Sequence, residues 1–423
     1  MMEIKLKDLD ISVFKEVLDN GLEIYLVPMA NKKNYYINYA TKYGSEVSEF
    51  IPAGESEYVR VPDGVAHFLE HKMFEQASGI DPFTFFAESG TDSNAATSYD
   101  STQYICLGNK NFYDNLKYLL HFVNSPYYTD ENVNKEKGII AEELNMYSDI
   151  PEYQLENKLR ENIYKNNPRR IDIGGTVESI NNITKEDLYL CYNNFYSPNN
   201  MFLLVVGNFD KEKAISIIKE EMNNVNNRGK AKIKEIKEPD KVFKAYEEIT
   251  NNSISIPKVE FGLKINYSKF KFDEKILDMY LNMITTIKFG SSSLFREVIR
   301  DNNICNNVYS EWETTSKHKV FYLMGNCIDP DRFIDEVKKE FNTSNIKEEE
   351  FKRIKKVWIA NIVRHYDDVE GCLDSLYDDI VKYGDIIDNK IQLIKKLKYK
   401  DLISIYNRID FDNISVVKMI GKE

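Results

Sequence analysis

The chain has 423 residues, which suits two domains of ordinary size better than one. Hydrophobic residues make up 42% of it and aromatic residues 13%, so each half can build a core and general disorder is excluded. The net charge of −12 argues against a broad surface for nucleic acid or anionic membranes, because such a surface needs an excess of Lys and Arg.

Periodicity predicts a mixture of strands and helices along the first half. The predicted elements, in chain order, are a strand at Tyr35–Thr41, a helix around residue 67, a strand or hairpin at 94–107, a helix at Phe112–Val123, a long helical tract at 130–164 broken near Pro151, a helix that begins at Thr184, and a buried strand at 201–206. Because the order is not a strict strand–helix–strand alternation, the fold class is predicted to be α+β, with about six strands per sheet and helices packed on it.

The second half repeats this order. Its predicted elements are a strand at 257–264, a helix at 273–287, a strand at 320–327, helices at 332–341, 348–366 and 400–406, and a last strand at 414–419. Aligning the halves places Tyr147 over Tyr366 and Gly207 over Gly421. Residues 223–240 hold few large apolar side chains and are interpreted as a linker. The sequence therefore predicts two homologous domains, residues 1–230 and residues 231–423.

Cysteine usage and the N-terminus indicate a cytoplasmic protein. The five cysteines are scattered and form no C-x-x-C pair, which predicts reduced, packed thiols. No apolar run approaches the roughly 20 residues of a membrane span. Charged residues stand in the N-terminal segment where a signal peptide would be apolar.

The segment His67-Phe68-Leu69-Glu70-His71 has the spacing of a catalytic metal site. On a helix, residues at i, i+3 and i+4 share a face, so both imidazoles and the carboxylate project together. Two neutral imidazoles can hold Zn²⁺, and Glu70 then stands beside the open position as a general base for water. This is the H-x-x-E-H order. The alternative is a surface network in which the two histidines pair with Glu70.

A third zinc ligand is expected on the long helix that follows. Glu136 and Glu143 lie seven residues apart and share a face, whereas Glu142 points about 100° away from Glu143 on an ideal helix. A solvated acidic face is the alternative, but the second half has Ile362 at the position of Glu143 and contains no H-x-x-E-H. We therefore assign Glu143 as the ligand and Glu136 as a carboxylate that orients a histidine.

These residues make the chain resemble a known family. The zinc motif with residues 63–66 before it, the helix from Glu136 to Glu143, the stretch 90–100 and the pair Gly174-Gly175 resemble the corresponding segments of the pitrilysin/insulin-degrading-enzyme family. These zinc metallopeptidases, the inverzincins, include the mitochondrial processing peptidase, and the chain is most similar to short bacterial members.

The resemblance implies a fold, a reaction and a set of residues. Two homologous α+β domains would form half of a peptidase chamber. One Zn²⁺ per chain would be held by His67, His71 and Glu143, with Glu70 as the general base. The expected activity is endopeptidase cleavage of peptides or small unfolded precursors. The residues Asn94, Ala95, Ala96 and Thr97 would bind the substrate through a strand edge, where main-chain hydrogen bonds give affinity.

One departure from the family pattern concerns substrate binding in the second half. Active members place an Arg and a Tyr seven residues apart, whereas here Asn302 stands seven before Tyr309, with Arg296 and Arg300 nearby. Tyr309 is retained as a substrate-binding candidate. We expect a heterodimer in which a homologous chain without zinc supplies the Arg/Tyr pair, with a homodimer as the alternative.

Two other functions compete with a peptidase. A chamber subunit of the same fold could bind peptide without cutting it, but the predicted ligands and Glu70 are intact. A structural zinc would need a closed tetrahedron, whereas three ligands beside an open position suit catalysis.

Overall fold

The computed structural model describes residues 1–315 and 317–422, which form two compact units. The first unit contains residues 1–145, 172–235 and 363–389, and the second contains residues 146–171, 236–362 and 390–423. Within the described residues no helix combines the length and the apolar character that crossing a bilayer requires. All five cysteines are free and buried, as the sequence predicts.

The strands fall into one small sheet and two large ones. In chain order they are β1 (Met2–Leu6), β2 (Ile11–Val17), β3 (Glu23–Pro28), β4 (Tyr35–Thr41), β5 (Glu49–Ile51), β6 (Val59–Arg60), β7 (Asp92–Thr97), β8 (Thr102–Gly108), β9 (Met201–Gly207), β10 (Lys232–Ile233), β11 (Tyr246–Thr250), β12 (Lys258–Asn266), β13 (Cys305–Thr314), β14 (His318–Cys327) and β15 (Ile414–Ile420).

The helices flank these sheets. In chain order they are α1 (Val65–Met73), α2 (Pro82–Glu88), α3 (Phe112–Val123), α4 (Asp130–Ser148), α5 (Pro151–Ile163), α6 (Val177–Asn182), α7 (Lys185–Phe195), α8 (Lys211–Met222), α9 (Glu274–Phe289), α10 (Leu294–Asp301), α11 (Pro330–Asn342), α12 (Glu348–Asp367), α13 (Val369–Tyr383), α14 (Lys390–Lys396) and α15 (Tyr399–Tyr406).

The two large sheets confirm the predicted repeat. The first unit has a seven-stranded sheet in the order β1-β2-β3-β9-β4-β8-β7, and the second has a five-stranded sheet in the order β11-β15-β12-β14-β13. The last five strands of the first sheet match the five of the second, with one parallel pair followed by antiparallel pairs in each. The fold class is α+β with mixed sheets, as predicted.

The two compact units are not the two continuous halves that a division at residue 230 would give, because each unit contains three separate segments. The segment that contains α5 belongs to the second unit, and the segment that contains α13 belongs to the first. Each of these helices comes directly after a long helix, α4 or α12, that passes from one unit to the other. The predicted domains therefore describe the repeat along the chain, and the domain assignment itself stays a prediction.

In the second unit, α5 packs closely on the sheet. Leu155, Leu159 and Ile163 are buried against side chains of β14 and β15. At Gly262 a Cβ would lie 2.2 Å from Cδ1 of Ile163, so only glycine allows this approach of helix to strand.

Candidate metal centre

Helix α1 begins where only glycine fits. Gly64 precedes the helix with a φ of 91°, and a Cβ on it would lie 2.4 Å from the carbonyl oxygen of Gly174. The apolar residues Phe68, Leu69 and Met73 are buried in the core of the first unit. This packing turns the other face of α1, which carries His67, Glu70 and His71, away from the core.

The two imidazoles and the predicted third ligand converge. Nε2 of His71 lies 3.3 Å from Oε2 of Glu143 on α4, and Nε2 of His67 lies 3.9 Å from the same oxygen. One ligand atom from each residue lies within 4.8 Å of the others, the single such group of three among the described residues. The structure thus brings together the three predicted zinc ligands, at separations that a shared ion would bridge.

Glu136 contacts the ring nitrogen of His71 that faces away from Glu143. Its Oε1 lies 3.2 Å from Nδ1 of His71, so with Nδ1–H donating, the lone pair of Nε2 faces Glu143. Burial alone would raise the pKa of Glu136, but the hydrogen bond from His71 and the charge of Lys72 outweigh it and lower that pKa. Burial likewise works to lower the pKa of His71, yet the carboxylates of Glu136 and Glu143 raise it.

His67 is kept neutral by its surroundings. Burial, followed by the neighbouring His71, lowers the pKa of His67 to about 4. Its Nδ1 is buried with no hydrogen-bond partner among the described residues, and a Cβ on Gly174 would lie 3.5 Å from that atom. A neutral imidazole is the form that binds a metal, so the residues present fit a zinc ion held by His67, His71 and Glu143.

Glu70 lies beside these ligands and is oriented by the neighbouring strand. The hydroxyl of Thr97, at the end of β7, donates to Oε2 of Glu70 at 2.6 Å. Burial raises the pKa of Glu70, although the Thr97 hydrogen bond and the charge of His71 oppose this shift. A carboxylate with a raised pKa next to a metal position has the properties of a general base.

The predicted substrate strand lies at an edge of the first sheet. The residues Asn94, Ala95, Ala96 and Thr97 belong to β7, which pairs with β8 and ends the sheet order. Asn94 and Ala96 are exposed, while Ala95 and Thr97 are half-buried. The contact from Thr97 to Glu70 was not predicted, because it depends on the packing of β7 against α1 rather than on any spacing in the sequence.

In the second unit Tyr309 is exposed, and Arg296 and Arg300 bind to other groups. Tyr309 lies on β13, the last strand of its sheet, and is 61% exposed. The Arg296 guanidinium donates to the carbonyls of Phe289 and Val308, and Arg300 pairs with Asp301. Arg296 is thus held by main-chain carbonyls, and Arg300 is held by the carboxylate next to it.

Comparison with known proteins identifies the family. The family model "Insulinase (Peptidase family M16)" matches residues 36–177, and "Peptidase M16 inactive domain" matches residues 182–357. The uncharacterized zinc protease YmfH of Bacillus subtilis is 38% identical over 79% of this chain and 78% of its own. The chain belongs to the M16 family, the pitrilysin/insulinase peptidases. The predicted family is thereby confirmed.

Solved structures of M16 proteins share the fold. A putative M16-like peptidase from Alicyclobacillus acidocaldarius superposes with a TM-score of 0.92 at 27% identity and covers 99% of this chain and 100% of its own. Pitrilysin superposes with a TM-score of 0.76 at 14% identity, with 100% of this chain matching 46% of pitrilysin. The M16 chain described here thus spans about half of a pitrilysin chain.

Proposed function

We propose that this M16 chain is a zinc metalloendopeptidase that hydrolyses peptides or small unfolded precursors. The observation that carries the proposal is the convergence of His67, His71 and Glu143, with the Glu70 carboxyl beside them. YmfH, the relative with 38% identity, is also named as a zinc protease. The other reading, a subunit that binds peptide without cutting it, gives no reason for Glu70 to be oriented next to three metal ligands.

Each residue has a distinct task in this reaction. His67, His71 and Glu143 would hold one Zn²⁺, and Glu136 would keep the His71 ring in place. Zinc supplies Lewis acidity toward the scissile carbonyl and makes water a stronger nucleophile. Glu70 takes the proton of that water and returns it to the leaving amine, while Thr97 holds the Glu70 carboxylate.

Substrate binding is proposed for the edge strand β7. Its residues Asn94 and Ala96 are exposed, and an edge strand offers unpaired main-chain groups to an extended peptide. Recognition through the main chain leaves the choice of side chains loose, which suits an enzyme that cuts unfolded peptides. The chamber, formed with a second chain, and the cytoplasmic location are parts of the same proposal.

The substitution Glu70→Gln tests the proposal. Glutamine keeps the size of the side chain and the acceptor for Thr97 but does not accept the proton of water. Turnover of a mixed peptide library should fall by about 10² to 10⁴-fold. Zinc content, measured by elemental analysis, should stay at one per chain.

The control is Glu88→Gln, an exposed carboxylate on α2, which should leave both readouts unchanged. Unchanged turnover in the Glu70 variant would remove Glu70 as the base. A wild-type chain that is well folded and binds no zinc would remove the metal site itself.

A further inference from the structure

A buried ammonium group, that of Lys72, lies next to the Glu136 carboxylate that contacts His71. Lys72 follows His71 on α1, and its side chain is fully buried, at 0% exposure. It lies on the inward side of the helix, three and four residues after Leu69 and Phe68, which belong to the core. Its Nζ contacts the carboxylate of Glu75 and lies 3.4 Å from Oε2 of Glu136.

The same carboxylate joins Lys72 to a zinc ligand. Oε2 of Glu136 faces the ammonium, whereas Oε1 lies 3.2 Å from Nδ1 of His71. With one oxygen fixed by the cation, the other stays in line with the imidazole. The contact also joins α1 to α4, the helix that carries Glu143.

Stability alone does not account for an ion pair between positions 72 and 136. Removing two charges from water costs several kcal/mol per ion, and replacing a buried ion pair by apolar side chains is often neutral or stabilising. An apolar residue at position 72 would continue the apolar side formed by Phe68, Leu69 and Met73. The desolvation cost of the ion pair is explained if the ammonium fixes the Glu136 carboxylate, which an apolar side chain would leave free to move.

We infer that Lys72 is a positioning residue of the metal site: its ammonium fixes the Glu136 carboxylate, and Glu136 in turn fixes the His71 imidazole for zinc. The inference rests on the proposed function, since it assigns Lys72 a role in holding the metal. It differs from a purely local role, in which Lys72 only neutralises Glu75 and Glu136.

The first test measures zinc affinity by chelator competition, with Zn²⁺ alone as the probe. Lys72→Met should weaken zinc binding by about 10-fold or more, the lower end of what outer partners of metal ligands contribute. The matched control is Lys288→Met in the second unit. Lys288 is also buried, at 2% exposure, and its ammonium donates to the carbonyls of Glu340 and Thr343. This control should lose stability without changing zinc affinity.

A double variant separates positioning from a local role. If Lys72 acts through Glu136, then Lys72→Met combined with Glu136→Gln should bind zinc as tightly as Glu136→Gln alone, within about 2-fold, because neighbours in one network are not additive. The double variant also removes the unpaired carboxylate next to position 72, so it remains informative if Lys72→Met alone does not fold. Co²⁺ substitution adds a spectroscopic readout, because its visible bands report ligand geometry and should shift in Lys72→Met.

Three results would overturn the inference. They are wild-type zinc affinity in Lys72→Met, losses that add up in the double variant, and an unchanged Co²⁺ spectrum. Failure of the proposed function is distinguishable from these, because a wild-type chain that did not bind zinc would show it before any variant is compared.

Discussion

His67 and His71 stand one helical turn apart, yet different neighbours hold them. Nδ1 of His71 has a partner in Glu136, whereas Nδ1 of His67 has none among the described residues. Burial keeps His67 neutral by lowering its pKa to about 4. The orientation of His71 therefore depends on α4, whereas a Cβ on Gly174 would lie 3.5 Å from Nδ1 of His67, so the glycine leaves space beside that ring.

The substitution Glu143→Gln should remove most of the zinc affinity. Oε2 of Glu143 lies 3.3 Å from Nε2 of His71 and is the single negatively charged member of the proposed ligand set. Outer partners of metal ligands contribute about 10 to 100-fold to metal affinity. We expect the zinc affinity measured by chelator competition to fall by more than this.

The neighbouring acid gives the control for this prediction. Glu142 is exposed on the same helix and belongs to no metal-ligating group of the described residues. Glu142→Gln should therefore bind zinc like the wild type. The reverse pattern, with zinc lost in the Glu142 variant and kept in the Glu143 variant, would show that the wrong carboxylate had been assigned.

At the scale of elements, the sequence predicts those whose periodicity is strong. Helix α3 and strand β4 have the predicted bounds, and the break between α4 and α5 falls just before Pro151 as predicted. The alignment that places Tyr147 over Tyr366 also places the last residue of α4 over the last residue of α12. The bounds of these repeated elements could therefore be predicted to within a residue or two.

Other elements gave too weak a signal. Strand β13 lies at an edge, half of its residues are exposed, and they do not alternate cleanly between polar and apolar. Helix α13 was not predicted. In the site, helical spacing predicted the shared face of the two histidines, and the comparison of the two halves selected Glu143. The contact from Thr97 to Glu70 joins a strand to a helix and could not be read from spacing.

One largely buried carboxylate of the second unit, that of Glu313, is shared by two arginines and two tyrosines. Glu313 on β13 accepts hydrogen bonds from the hydroxyls of Tyr164 at 2.8 Å and Tyr322 at 3.0 Å, and it pairs with Arg160 and with Arg169 at 3.3 Å. Burial would raise the pKa of Glu313, but the two arginines outweigh it and lower the pKa to about 2. The carboxylate is therefore more acidic in the folded chain than in the unfolded one.

The pKa shift of Glu313 predicts how its contribution to stability depends on pH. Because the folded pKa is depressed, the contribution is complete above the ordinary value of 4.5 and disappears as the pH falls toward about 2. Glu313→Gln should cost about 3–5 kcal/mol of unfolding free energy at pH 7, since it removes the negative charge that Arg160 and Arg169 share. In urea unfolding, the difference from wild type should shrink below pH 4.5.

The control for Glu313 is Glu297→Gln, an exposed carboxylate on α10. This variant should match the wild type within about 0.5 kcal/mol, as surface substitutions usually do. A difference between wild type and Glu313→Gln that stayed constant from pH 7 to pH 3 would contradict the assigned pKa.

For the whole molecule, the exchange of segments means that neither half of the repeat is self-sufficient. Helix α5 covers the sheet of the second unit, where Leu155 and Leu159 are buried, although it precedes residue 230. Helix α13 packs on β4 and β9 of the first unit, with the Tyr377 ring 5.7 Å from that of Phe202. Each half of the chain thus carries a helix that the other unit requires.

Residues 1–230 and 231–423 should accordingly not fold when expressed apart. Each fragment would expose one apolar face of its sheet and one apolar helix, and both should aggregate or lack cooperative unfolding in calorimetry. The matched comparison is the same cut made after folding, through a protease site inserted within 223–240. There the two fragments should stay associated in gel filtration. A cooperatively unfolding, monomeric 1–230 fragment would contradict this prediction.

We expect a second chain to complete the substrate site. The residue seven before Tyr309 is Asn302, and Arg296 is tied to the carbonyls of Phe289 and Val308, so this chain offers no Arg/Tyr pair of the predicted spacing. Groups that stabilise the developing oxyanion contribute about 10² to 10³-fold to turnover. A homologous chain with that pair and without zinc ligands would supply the missing groups.

Peptide turnover by the purified chain should therefore be slow and should rise by about 10² to 10³-fold when this homologous chain is co-expressed. Sedimentation analysis shows whether the active species is a one-to-one complex, and zinc analysis should find one ion per complex, held by the chain described here. Glu70→Gln in this chain should abolish the gain, whereas replacing the partner's pair should return turnover to the level of the single chain. Full activity in a homodimer of this chain alone would contradict the heterodimer, and a dependence of that activity on Tyr309 would then assign the homodimer in its place.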